Sequence, residues 1–268
     1  MNPPRPWQPT PLLLLTGAVH LAVPLAWLAW PAAWLTWLMA LVANHAALTA
    51  AGLWPRSRLL GPNLLRLPAA ARARGEVAIT IDDGPDPDLT PQVLDILARH
   101  DAHASFFCIG RRAEAEPALI AEIVHGGHSI ENHSQHHRHS FSLMGPAGFR
   151  REIAAAQATL GRLSGTPPRF FRAPAGLRNP FLEPVLAAQG LHLASWTRRG
   201  FDTRVGDPEQ VLARLLDGLA AGDILLLHDG HAARDPSGRP VILAVLPRLL
   251  EAIDAAGLKA VSLPEAHA

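Results

Sequence analysis

Cysteine and excess charge are the two features that this sequence most clearly lacks. Cys108 is the only cysteine among 268 residues, so the chain has no disulfide framework that would argue for an oxidising compartment. Its 24 basic and 23 acidic residues leave a net charge of +1, and no basic stripe is interleaved with aromatic residues. The composition therefore gives no reason to expect a nucleic-acid partner.

Charge is absent altogether from two apolar runs near the N-terminus, Leu12–Trp30 and Ala32–Ala50, which Pro31 separates. Each run is close to the ~20 residues that a helix needs to cross the hydrocarbon core of a bilayer. Tryptophans, which favour membrane interfaces, flank the proline and follow the second run. The sequence therefore predicts a hairpin of two transmembrane helices over residues 1–54. The tryptophans concerned are Trp27, Trp30, Trp34, Trp37 and Trp54.

Two other interpretations of these runs were weighed. A signal peptide fits poorly, because the apolar region is too long and only Arg5 precedes it as a basic residue. A re-entrant or surface-lying helix for one run stays open, since Pro24 and Asn44 interrupt the apolar pattern. His20 and His45 fall at similar depth in a hairpin, where we expect them to share a hydrogen bond.

Arginines after the second run suggest the orientation of the hairpin. The short link between the runs carries no charge, whereas Arg56, Arg58, Arg66, Arg72 and Arg74 follow them. Because basic residues favour the cytoplasmic side, we expect a multi-pass protein of the bacterial inner membrane with both ends, and the rest of the chain, in the cytoplasm.

The remainder of the chain alternates short apolar runs with helical patterns. Residues 55–75 are rich in arginine and proline and are interpreted as a basic juxtamembrane linker, and residues 76–268 as one catalytic domain. Seven strands with intervening helices imply parallel pairing, so the expected fold is α/β, either a doubly wound sheet or a barrel. The predicted strands are Val77–Asp82, His103–Ile109, His128–Asn132, Arg169–Arg172, His192–Trp196, Asp223–His228 and Lys259–Leu263.

Two neighbouring carboxylates, Asp82 and Asp83, end the first of these strands. Adjacent carboxylates repel unless a cation neutralises them, although Asp-Gly-Pro is also common in a solvated turn. A histidine-rich stretch supplies candidate ligands, because His133 and His137 lie on one face if a helical turn follows the strand. With Asp83 they make three protein ligands, the number typical of a catalytic zinc site. His136 points off that face, and His128 and His139 are also less suited.

Five short motifs, in this order along the chain, resemble those of the polysaccharide deacetylases with a NodB homology domain, carbohydrate esterase family 4. They are TIDDG at Thr80–Gly84, NHSQHH at Asn132–His137, RAPAG at Arg172–Gly176, WTRRGFD at Trp196–Asp202 and LLLH at Leu225–His228. Each alone is weak, but together they cover the chain from about Glu76 onward. The resemblance implies a distorted barrel of about seven strands, with the site at the carboxyl ends of the strands.

The resemblance also implies a role for each matching residue. Asp82 would be the general base, with Arg172 paired to it, and Asp83, His133 and His137 would hold one divalent ion, expected to be zinc. His228 would protonate the leaving amine, with Asp202 stabilising its charged form. Pro174, Ala175 and Trp196 are expected to contact the substrate.

Two departures from the family pattern bear on the substrate. Ala175 stands where the third motif usually carries an aromatic residue, and the chain has no tyrosine. Thr203 follows Asp202 where tryptophan is common. We therefore expect the family's chemistry with an altered substrate groove.

The expected reaction is metal-dependent hydrolysis of an N-acyl group, acetyl before formyl, on an amino sugar of a polysaccharide, oligosaccharide or lipid-linked glycan. A non-haem iron oxygenase is one rival, because two histidines and a carboxylate also form that enzyme class's facial triad. An inactive membrane-tethered glycan-binding module on the same fold is the other. Membrane lipids are expected partners of the N-terminal hairpin.

Overall fold

Eight parallel strands form a single sheet in the computed structural model, which describes residues 2–268. The order β5-β4-β3-β2-β1-β7-β6 places the first strand near the centre, and β8 pairs with β1 off this path. The edge strands β5 and β6 are not paired with each other among the described residues, so the sheet is an open, curled barrel. The strands are β1 Glu76–Asp82, β2 Ala104–Cys108, β3 Ser129–Asn132, β4 Phe170–Phe171, β5 His192–Leu193, β6 Arg198–Arg199, β7 Ile224–His228 and β8 Lys259–Val261.

The prediction of a distorted barrel is confirmed, and each of the seven predicted strands is present. The additional strand, β6, comprises only Arg198 and Arg199. It pairs with Leu225 and Leu226 of β7, and its polar residues gave no strand signal in the sequence.

Helices connect the strands and cover the outer surface of the sheet. Proline at the first helical turn marks several starts, where its missing N–H would have no partner within the helix. Asp207, for example, caps α9 by accepting a hydrogen bond from the Glu209 N–H at 2.9 Å. The helices are α1 Pro11–Ala29, α2 Trp34–Leu53, α3 Ala69–Ala73, α4 Thr90–Arg99, α5 Gly110–Ala115, α6 Pro117–His125, α7 Pro146–Ser164, α8 Leu182–Ala188, α9 Pro208–Leu216, α10 Ile242–Ala255 and α11 Leu263–Ala266.

Strand β1 is buried along its whole length. Its side chains point alternately to the outer face of the sheet, which the helices cover, and to the inner face. Val77, Ile79 and Ile81 belong to the large apolar cluster that includes residues of α4 and α10. Because successive side chains point to opposite faces, Thr80 and Asp82 lie on the inner side of the curl. The register of this strand therefore decides that Asp82 faces the interior of the barrel.

The stretch 55–75 packs onto the catalytic domain instead of extending as a free linker. Leu60, Leu67 and Ala71 are buried, and Leu64 forms a parallel bridge with Ala194 next to β5. Apolar side chains in this otherwise basic stretch explain the packing, since their burial against the sheet is favourable. The division of the chain into three parts remains a prediction.

Helices α1 and α2 are long and apolar enough to cross a membrane, and their apolar side chains are largely exposed. Leu21 and Leu28, for example, are 74% and 83% exposed, which does not suit helices of a soluble core. The two helices pack on each other, and the Nε2 atoms of His20 and His45 lie 3.3 Å apart, as expected for a shared hydrogen bond.

Candidate active site

The predicted catalytic residues lie together where the parallel strands end. Asp82 is the last residue of β1, Asn132 precedes His133 at the end of β3, and His228 is the last residue of β7. Carboxyl ends of parallel strands meet at one edge of a sheet, which explains why residues 146 positions apart share a cleft. The cleft has a volume of about 430 Å³.

Asp83, His133 and His137 form a cluster that can hold a metal ion. Their ligand atoms all lie within 4.8 Å of one another, and Asp83 Oδ1 is 3.3 Å from His133 Nε2 and 3.2 Å from His137 Nε2. Two tetrahedral zinc ligands at ~2.0–2.1 Å from the ion lie about 3.4 Å apart, so the donor set fits such an ion. His133 Nδ1–H donates to the Arg172 carbonyl at 2.8 Å, so that in the neutral ring Nε2 is the lone-pair atom, and it is aimed at the cluster.

The two histidines converge in a different way from the one predicted. No helical turn follows β3; a loop turns instead through Ser134 at φ 65° and His137 at φ 50°. Asp83 is also left-handed, at φ 76°. Such conformations cost free energy in residues other than glycine and cluster at functional sites. The expected helical face is therefore wrong, although the predicted pair of histidines does converge.

Charge within the cluster controls its protonation. Burial would raise the pKa of Asp83, but hydrogen bonds from His133 and His231 and nearby positive charge lower it well below its usual range. Burial, reinforced by the neighbouring His133, lowers the pKa of His137 to about 4. Burial opposes the charged form of His133 too, but Asp82 and Asp83 outweigh it and raise its pKa. A metal ion thus meets an ionised Asp83 and a neutral His137, and competes with a proton at His133.

Asp82 is paired with a fully buried arginine. Arg172 Nη1 donates to Asp82 Oδ1 at 2.6 Å and to Thr80 Oγ1 at 2.9 Å. The same guanidinium donates to the carbonyls of Ala194 and Ser195 and lies 4.0 Å from the Phe107 ring centroid. Because every arm is fixed, Arg172 holds the Asp82 carboxylate in one position beside the metal cluster.

His228 is oriented by a second buried carboxylate. Its Nδ1–H donates to Asp202 Oδ1 at 2.9 Å, and its backbone N–H donates to Asp202 Oδ2 at 2.7 Å. Burial would lower the pKa of His228, but Asp202 outweighs it and raises the pKa above the ordinary histidine value. The imidazolium form is thereby stabilised near neutral pH.

The predicted substrate contacts are only partly at the surface of the cleft. Ala175 and Trp196 line it, whereas Pro174 is buried and is not among the lining residues. His136 lines the rim but pairs with Glu152, with Nδ1 2.9 Å from Oε1. His139 also lines the cleft outside the metal cluster.

His128 lies elsewhere in the fold. Its Nδ1 accepts the Ala104 N–H at 3.2 Å, and burial lowers its pKa to about 4. It is a structural histidine between β2 and β3.

Several residues of the site escaped the sequence analysis. His231 Nδ1–H donates to Asp83 Oδ2 at 3.1 Å, and the only sequence signal was its position three residues after His228. Asp229 accepts a hydrogen bond from the Thr90 hydroxyl at 2.5 Å, and burial raises its pKa to about 7. The Asp229 carboxylate also explains why position 84 is a glycine, since a Cβ there would lie 2.5 Å from Asp229 Oδ1. Four arginines also line the cleft, namely Arg111, Arg112, Arg199 and Arg204.

Comparison with known proteins agrees with this geometry. The sequence model of the polysaccharide deacetylase family matches residues 69–194, which begin after both apolar helices. A chitooligosaccharide deacetylase of Sinorhizobium fredii is 32% identical over 210 residues, covering 76% of this chain and 97% of that protein.

Two solved structures share the fold. A peptidoglycan N-acetylglucosamine deacetylase superposes with a TM-score of 0.67 at 27% sequence identity. The match covers 76% of this chain and 91% of that enzyme's chain. A family 4 acetyl xylan esterase from Clostridium thermocellum, solved with a cobalt ion, gives a TM-score of 0.63 at 32% sequence identity. The match covers 71% of this chain and 89% of the esterase chain.

The chain therefore belongs to the polysaccharide deacetylase family, carbohydrate esterase family 4, as the five motifs predicted. By family it is classed with the carbohydrate deacetylases. The relatives' names span different polymers, so membership alone does not select a substrate.

Replacing Asp83, His133 or His137 by alanine should abolish metal binding, because each supplies one of three ligand atoms. The measurement is metal content per protein by mass spectrometry after zinc loading and desalting. His136→Ala is the control and should retain the ion, since Glu152 holds its ring outside the cluster. Equal metal loss in His136→Ala would contradict the ligand assignment.

Proposed function

We propose that this protein is a zinc-dependent hydrolase that removes an N-acyl group, acetyl before formyl, from an amino sugar. The sugar would belong to a polysaccharide, an oligosaccharide or a lipid-linked glycan. The observation that carries the proposal is that two charged pairs and one ligand cluster converge in one cleft. The pairs are Asp82 with Arg172 and His228 with Asp202, and the cluster is Asp83, His133 and His137.

Each group has a separate task in amide hydrolysis. A divalent ion held by Asp83, His133 and His137 would supply Lewis acidity and lower the pKa of water. Asp82, held by Arg172, takes a proton from the water whose oxygen attacks the acyl carbon. The backbone N–H of Ala175 stabilises the negative charge that develops on the acyl oxygen. His228 donates its proton to the amine nitrogen as the carbon–nitrogen bond breaks, so the products are the free amine and the carboxylic acid.

The two rival functions leave features of the site unused. A facial triad for iron needs the two histidines and one carboxylate, but it does not need Arg172 on Asp82 or Asp202 on His228. An inactive glycan-binding module is expected to lack a ligand or the base, and all of these are present. Hydrolysis uses the metal cluster and both of these pairs.

The full chain in detergent should release acetate from N-acetylglucosamine oligomers, lose this activity on chelation, and regain it with zinc.

Asp82→Asn should keep the metal but reduce turnover by about 10²–10⁴, because a positioned general base contributes that factor. Acetate release and metal content are measured on the same preparation. If Asp82→Asn instead lost the metal and kept its turnover per bound ion, the roles of Asp82 and Asp83 would be exchanged.

Activity should fall at high pH as His228 loses its proton, and Asp202 should set where that happens. Since Asp202 raises the pKa of His228, Asp202→Asn lowers that pKa and should move the basic limb of the pH profile down by ~1 unit or more. Asp207→Asn, at an exposed helix cap outside the cleft, should leave the limb in place. An unchanged limb in Asp202→Asn, or near-normal activity in His228→Gln, would remove His228 from the mechanism.

We also propose that the hairpin spans the bacterial inner membrane twice and that the domain lies in the cytoplasm. Residues on both sides of the hairpin contact the same domain, which supports two crossings. Arg5 pairs with Glu183 at 2.9 Å before α1, and the Arg178 N–H donates to the Gly52 carbonyl at 3.2 Å at the end of α2. The arginines that follow α2 favour the cytoplasmic side.

Fusions at the C-terminus of the full chain test this orientation. Green fluorescent protein should be fluorescent and alkaline phosphatase inactive, because the first folds inside and the second is active outside. A protein with a known periplasmic C-terminus serves as control. An active phosphatase fusion would place the domain outside and overturn the orientation.

A further inference from the structure

A second cavity, of about 330 Å³, lies between the C-terminal half of α2 and two loops of the catalytic domain. Its lining is mainly apolar and includes Leu48, Leu53, Leu143, Leu177 and Phe181. Three of these side chains are unusually exposed: Leu143 at 83%, Leu53 at 61% and Phe181 at 52%. We call this cavity the α2 groove. One of its walls is a helix long and apolar enough to cross a membrane, so the groove is placed to receive hydrocarbon.

The α2 groove and the catalytic cleft are neighbours along one short segment of chain. Ala175 and Gly176 line the cleft, and the next two residues, Leu177 and Arg178, line the groove. Helix α2 approaches this segment so closely at Gly52 that a side chain would not fit there. A Cβ on Gly52 would lie 2.2 Å from the Arg178 carbonyl oxygen.

The chain after α2 reaches the cleft wall itself. A Cβ on Gly176 would lie 2.7 Å from Pro55 Cβ and 2.8 Å from Trp196 Cη2, and the Ser195 hydroxyl donates to the Pro55 carbonyl at 2.8 Å. A molecule that enters along α2 therefore meets the catalytic cleft within a few residues.

Positive charge without a direct carboxylate partner lies at the junction. Arg178 is 4% exposed, lines the groove and has an Nε atom without a hydrogen-bond partner. Its guanidinium donates to the Ser57 carbonyl, while Glu183, whose Oε1 pairs with Arg5, attracts Arg178 without forming a direct ion pair with it. A buried cation that is not ion-paired favours an anionic ligand.

Arginines also line the cleft, alongside Asp82 and Asp83. Arg111, Arg112, Arg199 and Arg204 line it, and none forms an ion pair with a carboxylate among residues 2–268. Arg199 instead stacks on aromatic rings, 5.4 Å from the Trp196 centroid and 4.9 Å from that of Phe201. Guanidinium groups can hydrogen-bond the hydroxyls of a neutral sugar, but a phosphate next to the sugar would in addition supply the negative charge that these arginines lack as a partner.

We propose that the substrate is a lipid-linked amino sugar whose hydrocarbon chain lies in the α2 groove and whose phosphate lies among these arginines. This rests on the deacetylase function proposed above and selects one of its three substrate classes. The position of the groove beside the cleft favours a substrate chain over a bulk phospholipid, because an anchoring lipid has no need to end beside the reacting group. The sugar then reaches Asp82 and His228 past Ala175, where the missing aromatic ring leaves room.

The test compares three substrates with the full chain in detergent micelles. They are N-acetylglucosamine joined through a phosphate to a long-chain polyprenol, dodecyl N-acetylglucosaminide, and a water-soluble N-acetylglucosamine tetramer. We expect the highest kcat/KM for the phosphate-linked substrate, a lower value for the neutral glycolipid, and the lowest for the tetramer.

Leu143→Asp and Phe181→Asp should reduce kcat/KM for the phosphate-linked substrate about tenfold, chiefly through KM, because an apolar contact is lost from the groove. Both variants should leave the tetramer unaffected. Val124→Asp is the matched control: Val124 is an exposed apolar residue, 38% exposed, on α6 and outside the groove. It should behave as wild type with all three substrates.

The outcomes separate this inference from the function on which it rests. Deacetylation of none of the three substrates by zinc-loaded wild type would overturn both. Activity on the tetramer with no preference for either glycolipid would overturn the lipid-linked substrate alone. An equal loss on all three substrates in the groove variants, or unchanged kinetics with all three, would remove the groove from substrate binding and would also overturn it. Equal rates on the two glycolipids would overturn the assignment of a phosphate.

Discussion

The repulsion between Asp82 and Asp83, both buried at the end of β1, is the constraint on which the site depends. Two carboxylates cannot stay ionised side by side in a medium of low dielectric unless each has its own counter-charge. The fold supplies these from different strands: Arg172 reaches Asp82 from the end of β4, while His133, whose charged form is favoured, approaches Asp83 from the loop after β3. Because the counter-charges differ, so do the chemical roles open to the two aspartates.

Arg172 links this constraint to the packing of the barrel. Its guanidinium lies over Phe107 of β2 and bonds to β1 and to the carbonyls that follow β5. Removing one partner of such a buried pair is strongly destabilising, because the other charge is left uncompensated. The interior of the curled sheet therefore serves two purposes, since the bonds that stabilise it also fix the general-base candidate.

The N-terminal hairpin is structurally part of the same unit. Its two ends contact the domain through Arg5 and Gly52, and the stretch after it packs along β5. If α1 and α2 span a bilayer as proposed, a domain attached in this way has little freedom to move away from it. The orientation of the cleft with respect to that bilayer would then be set by packing and not by the length of a flexible tether.

The sequence by itself determined the family, the strands and the main catalytic candidates, because these depend on local signals: buried apolar runs, proline at helix starts, and polar residues just after strand ends. It also identified Asp83, His133 and His137 as a set, but through a helical face that does not form, since the left-handed turns at Ser134 and His137 have no sequence signature comparable to glycine. Strand β6, the contact of His231 with Asp83 and the arginine lining of the cleft were decided only by the tertiary structure. So was the α2 groove beside the third motif. The physical reason is the same in each case: these features join residues far apart in the chain, and parallel strand order and helix docking determine which of them meet.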